Sequence, residues 1–106
     1  MFKEKRLSKG HGKVILSDEL TIYEADELKT KLAKYAEPEK CKSMTIEMSD
    51  VVEIDTSCIQ ILMQLKQEFN NADRDLKIVS HSPAVIEIFD LYNLGSFFGD
   101  PMVLAS

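Results

Sequence analysis

Tryptophan is absent from the 106 residues, and cysteine (2), histidine (2), proline (3) and glycine (4) are scarce. Each scarcity excludes something. So few Gly and Pro, against 44% hydrophobic and 29% charged residues, exclude a low-complexity or disordered chain. Cys41 and Cys58 form no C-x-x-C and no disulfide framework, so both are expected to be reduced thiols. His11 and His81 lack metal-ligand spacing with Cys or carboxylates, and no phosphate-cradling glycine motif occurs. No cofactor and no metal is therefore expected. No run approaches the ~20 apolar residues of a membrane span, and Met1-Phe2-Lys3-Glu4 begins no signal peptide, so a cytoplasmic location is expected. Positive charge is also short. Thirteen Lys+Arg face 18 Asp+Glu, a net charge of −5 that argues against nucleic acid as a partner. The one basic stretch, Lys3, Lys5, Arg6, Lys9 and Lys13, is interleaved with Glu4 and suits a solvated strand edge.

What is present is one domain spanning residues 1–106, long enough to bury roughly two-thirds of the surface its unfolded chain exposes. Val14-Ile15-Leu16 reads as a buried strand, with Phe2–Leu7 as the weaker arm of a hairpin through Gly10 and Gly12. Thr21-Ile22-Tyr23-Glu24 is a capping box. It opens a helix whose inward residues are Ala25, Leu28, Leu32 and Tyr35, and Pro38 closes it. Met44, Ile46 and Met48 alternate with Thr45 and Glu47 as a half-buried strand. Val51, Val52 and Ile54 carry the apolar signal across a loop to Asp55.

From there Cys58, Ile61, Leu62, Leu65 and Phe69 trace one helical face, with Ile59 beside it. Gln60, Gln64, Lys66, Gln67 and Glu68 face away. Leu76–Val79 is a further strand. Ser82-Pro83 starts a helix with Val85, Ile86, Phe89 and Tyr92 inward, ended by Asn93-Leu94-Gly95, and Met102-Val103-Leu104 suits a last edge strand. The fold class is α/β: a small mixed sheet of four to five strands, its central β-α-β unit parallel, with helices packed on it. Such folds place their sites outside the carboxyl ends of the strands, which here includes the segment from Val52 to Ser57.

That segment is the informative one. Asp55-Thr56-Ser57 sets an acid and two hydroxyls at a helix start, where any of the three can cap the unpaired N–H groups. A phosphate on a hydroxyl there would meet the same donors and the positive end of the helix dipole. Capping and regulation are compatible. Cys58 at a helix start has the position of an activated thiol, but its place on the apolar stripe favours a packing role. His81, between Ser80 and Ser82, reads as a surface or capping residue. No catalytic constellation emerges, so the chain is read as a non-enzyme.

The order and spacing of Met44–Asp50, Val52-Glu53-Ile54-Asp55-Thr56-Ser57, Leu76–Val79, Ser82-Pro83 and Leu91-Tyr92-Asn93-Leu94 resemble the STAS family, which contains the bacterial anti-sigma factor antagonists. The most specific match is Asp55-Thr56-Ser57-Cys58, against the family's Asp-Ser/Thr-Ser/Thr/Ala-Gly. The resemblance implies a partner switch in signal transduction and transcription regulation. The unphosphorylated domain binds an anti-sigma factor or related serine/threonine kinase, phosphorylation breaks the complex, and a PP2C-type phosphatase resets it. By position the phosphate acceptor is Thr56, with Ser57 the second candidate.

The contact surface implied is Asp55, Thr56, Ser57, Cys58, Ile59, Gln60 and Met63. Met63 lies off the apolar stripe and suits either an adaptable contact or packing against the next helix. Cys58 departs from the family glycine, and Thr56 from the commoner serine, with a β-branch that restricts its rotamers. The Asp-Thr start also resembles the STAS subunits of lipid-asymmetry transporters, which bind the ATPase of a phospholipid ABC system without a phospho-switch.

Overall fold

The computed structural model describes residues 2–8, 10–37, 41–94 and 97. The chain runs through β1 (Phe2–Ser8), β2 (His11–Leu20), α1 (Ile22–Ala33), a 3-10 turn (Lys34–Ala36), β3 (Ser43–Ile54), α2 (Thr56–Asn71), β4 (Asp75–Val79) and α3 (Pro83–Leu91). The sheet order is β1-β2-β3-β4. The hairpin β1/β2 is antiparallel, turning through Gly10 at φ 84°, a conformation that glycine adopts without strain. β2, β3 and β4 are parallel, with β3 reached through α1 and β4 through α2. This is the α/β architecture expected from the sequence. The sheet has four strands, within the four to five expected, three of them parallel and β1 antiparallel at the edge; Met102-Val103-Leu104, Pro38 and Gly95 lie outside the described residues.

Alternation sets which face is covered. Val14 and Leu16 on β2, Met44, Ile46 and Met48 on β3, and Leu76 and Ile78 on β4 are all buried, while most of their strand neighbours are at least partly exposed. Leu28 and Leu32 from α1, Leu62, Leu65 and Phe69 from α2, and Val85 and Phe89 from α3 complete the core.

One strand differs from expectation. The segment from Ser49 to Ile54 is not a loop but the second half of β3. Two bulges hide it in the sequence: between the pairs Ile15↔Glu47 and Ser17↔Asp50, and again between Asp18↔Val51 and Glu19↔Glu53, β3 carries one extra residue. Each bulge stretches the spacing of buried residues from two to three, so burial runs 44, 46, 48, 51, 54. A period-2 reading loses phase at the first bulge. Asp18, opposite, takes a left-handed φ of 65°.

Further corrections concern single side chains. Lys66 does not face away: it is buried, and its Nζ donates to the Leu76 carbonyl at 2.7 Å. Ile61 is only partly buried and Tyr92 is exposed, while Ile88 packs against the core in the place expected of Tyr92. His11 begins β2 rather than sitting in a turn, and its ring nitrogens bond the Ser43 and Thr45 hydroxyls across to β3 at 2.5 and 3.2 Å. His81 is not a surface residue: it is 1% exposed, edge-on to the Phe89 ring at 5.5 Å.

Candidate functional site

The carboxyl ends of β2 and β3 deliver the chain into α1 and α2 side by side. Asp55 N–H donates to the Leu20 carbonyl at 3.0 Å, which pins the two strand exits together. The Asp55 carboxylate then serves both helices. Oδ1 accepts from Ser57 N–H at 3.0 Å, capping α2, and Oδ2 accepts from Ile22 N–H at 2.8 Å, in the first turn of α1. One anion thus satisfies orphan donors of two helices and lies at both positive dipole ends. The cap on Ser57 follows from the Asp-x-Ser spacing; the bond to Ile22 is tertiary and had no signal in the sequence.

α1 closes its own start differently. The Glu24 carboxylate accepts from Thr21 N–H at 3.1 Å and from the Thr21 hydroxyl at 2.9 Å, while Glu24 N–H donates to the Thr21 carbonyl at 3.0 Å. The capping box is present as the sequence suggested, with the hydroxyl turned to the carboxylate.

The seven residues expected to form the contact surface divide into two groups. Thr56 and Gln60 are exposed, and Asp55, Ser57 and Met63 are partly so, with Met63 packed in part against the core. Cys58 and Ile59 do not reach the surface, at 0% and 3% exposed. Both belong to the core because α2 turns this side of its first turn onto the sheet. The Cys58 thiol donates to the Thr21 carbonyl at 3.4 Å, a further tie between the two helix starts. Burial pushes its pKa up to about 11, and the Asp55 and Glu24 carboxylates add to the shift. A thiol so held is the reverse of an activated nucleophile. Among the described residues there is no group of three His, Cys, Asp or Glu that could hold a metal, and no helix is long and apolar enough to cross a membrane.

Sequence reasoning missed the apolar residues around the exposed Thr56. Ile22 and Tyr23 open α1, Val52 stands near the end of β3, and Leu91 and Tyr92 end α3; all five are exposed, Tyr23 at 91%. Val52, Leu91 and Tyr92 line one groove together with Asp55 and Thr56. The signal available was that Ile22, Tyr23 and Val52 break the periodicity of their elements, and the bulges obscured it for Val52.

The comparisons with known proteins agree with this architecture. The STAS domain profile matches residues 3–105. The chain superimposes on the phosphorylated form of SpoIIAA, a Bacillus cell fate determinant, with a TM-score of 0.77 at 14% identity, covering 100% of this chain and 92% of that one. A Thermotoga maritima protein assigned as a candidate anti-sigma factor antagonist gives a TM-score of 0.79 at 19% identity, covering 90% and 80%. The SLC26A9 structure gives 0.70 at 12% identity, with 84% of this chain covering 17% of that one. At these identities the likeness is one of fold. No curated protein matches the sequence. The matched profile spans nearly the whole chain, and the protein belongs to the STAS domain family.

Proposed function

We propose that this STAS domain is a regulatory docking module whose partner, an anti-sigma factor or related serine/threonine kinase, binds the Asp55 edge and is released when Thr56 is phosphorylated. The observation that carries the reading is the exposed Thr56, first residue of α2, on the rim of an apolar groove and directly after the carboxylate that braces two helix starts. Its position exposes the side chain to a transferase, whereas Cys58 and Ile59 are closed to one. The fold likeness to SpoIIAA, known in phosphorylated and unphosphorylated forms, supports the same assignment.

Chemically, Thr56 is an acceptor and not a catalyst. A phosphoryl group there carries close to two negative charges and three acceptor oxygens that hold water. Placed next to the Asp55 carboxylate, it fills and hydrates the rim that a partner must dry. Ser57 is the weaker candidate, because it is partly covered and its N–H is already tied to Asp55. A PP2C-type phosphatase would complete the cycle.

The test is incubation of the purified chain with a cognate kinase and ATP, followed by mapping of phosphate by mass spectrometry. Phosphate is expected on Thr56 and should vanish in Thr56→Ala; Thr56→Glu should abolish kinase binding. Phosphate that persists in the double variant Thr56→Ala, Ser57→Ala would refute the assignment. Stable binding to an ABC ATPase that is indifferent to Thr56→Glu would instead establish the transporter-subunit role.

A further inference from the structure

A groove of about 460 Å³ runs between the end of β3 with the start of α2 on one side and α3 on the other. Its apolar residues include Val52, Ile88, Leu91 and Tyr92, and its charged ones are Glu53, Asp55 and Glu87. Val52 also borders a second depression, whose remaining lining is Asp18, Glu19, Glu24 and Glu27. Among the described residues no Lys, Arg or His lines either one, and of these carboxylates Glu27 is paired with Lys31 at 2.8 Å. The depression between α1 and α2 is different, its lining including both Lys29 and Glu68. The docking edge is therefore apolar in its middle and of one charge sign on both flanks.

We infer that the occupant of this groove is a basic amphipathic segment of the partner protein: an apolar ridge seated against Val52, Ile88 and Leu91, flanked by Lys or Arg facing Glu53, Glu87 and Glu19. The inference deepens the docking function proposed above and rests on it. Charge selects the occupant. A second copy of this chain would bring the same carboxylates to the contact, and an anionic membrane surface or a nucleic acid would be repelled in the same way. A basic flank gains attraction at a distance, which speeds encounter, and the apolar centre supplies the contact that holds it.

This arrangement also assigns the means of release. A phosphate at Thr56 has the same sign as the surrounding carboxylates, so it does not repel a basic segment. It acts by occupying the groove that Thr56 lines and by keeping it wet. Thr56→Gln, neutral and larger, should therefore weaken binding nearly as much as Thr56→Glu.

The experiment uses the full chain, isotopically labelled for NMR, and two synthetic amphipathic peptides that share a leucine ridge, one flanked by lysine and one by glutamate. The lysine peptide should shift Val52, Thr56, Ile88 and Leu91 saturably, more weakly as salt is raised, and the glutamate peptide should not bind. Glu53→Lys with Glu87→Lys should weaken the lysine peptide about tenfold, as expected for two reversed rim charges. Leu91→Ser, at a site 73% exposed, should weaken it without loss of fold.

Diffuse, unsaturable shifts, equal binding of both peptides, or concentration-dependent shifts at these residues without peptide would overturn the inference. Failure of the two proposals is distinguishable. If a kinase binds and the lysine peptide does not compete, docking stands and this occupant is wrong. If the peptide binds but no kinase modifies Thr56, the groove stands and the switch is wrong.

Discussion

The two ends of the parallel sheet are built from the same elements and treated in opposite ways. At the end where β3 and β4 begin, Arg74 donates to the carbonyls of Tyr35, Cys41 and Ala36 at 2.8–2.9 Å, and its guanidinium lies 3.9 Å from the centre of the Phe69 ring. There the Tyr35 ring lies so close to Gly12 that a Cβ would meet it at 3.0 Å, and His11 bridges Ser43 and Thr45. Polar groups at this end face inward to one another. At the Asp55 end the backbone is tied as firmly, but the apolar side chains Tyr23, Val52 and Leu91 face water. The difference separates an end whose described side chains close on one another from one whose apolar side chains are exposed, which is the feature the proposed docking rests on.

That contrast can be broken by mutation, starting with the closed end. Arg74→Ala removes three charge-assisted hydrogen bonds and the stacking on Phe69, and should cost about 3 kcal/mol, lowering Tm by roughly 15 °C. Thermal melts followed by circular dichroism measure it. Binding at the Asp55 end should be unchanged at temperatures where the variant is folded.

Next in size is an alkaline effect at the open end. The Cys58 pKa is raised from 9.0 to about 11 in the folded protein, so the native state holds this proton more tightly than the unfolded chain does. The associated stability is complete below pH 9, falls between pH 9 and 11, and amounts to on the order of 2 kcal/mol. Urea titrations across that range should show a steeper decline for the natural chain than for Cys58→Ser. Parallel curves would mean that the thiol is not held as described.

A smaller effect is expected at Asp55. Asp55→Ala leaves the N–H groups of Ser57 and Ile22 without their acceptor and should cost about 1–2 kcal/mol in urea unfolding. Asp55→Asn keeps one carbonyl acceptor and should cost roughly half as much. The smallest change in stability should come from Tyr23→Ala: its Tm should stay within error of the natural chain, because the ring makes little contact with the fold. Partner binding should nevertheless weaken, and unchanged binding would remove the start of α1 from the docking surface.

Much of the molecule was legible beforehand because its determinants are local. Thr21 with Glu24, Asp55 with Ser57 and Ser82 with Val85 each join residues two or three apart, and all three helix starts lie where the sequence put them. The alternation of Met44, Ile46 and Met48 likewise needed only neighbours. What failed was decided at a distance. The bulges in β3 exist to keep register with β2, and nothing between Ser49 and Ile54 announces them. His81 was read from its serine neighbours, yet the Phe89 ring sets its surroundings.

The sequence by itself determined the element order, the helix caps and the placement of a hydroxyl at the first residue of α2, since each depends on propensity and spacing within one turn. Only the tertiary structure decided that Asp55 would join two helix starts, that Cys58 and Ile59 would be sealed while Thr56 stayed open, and that three carboxylates would line the apolar groove and four more the depression beside it. Those outcomes depend on which segments the sheet brings side by side, and strand register rather than local preference sets that.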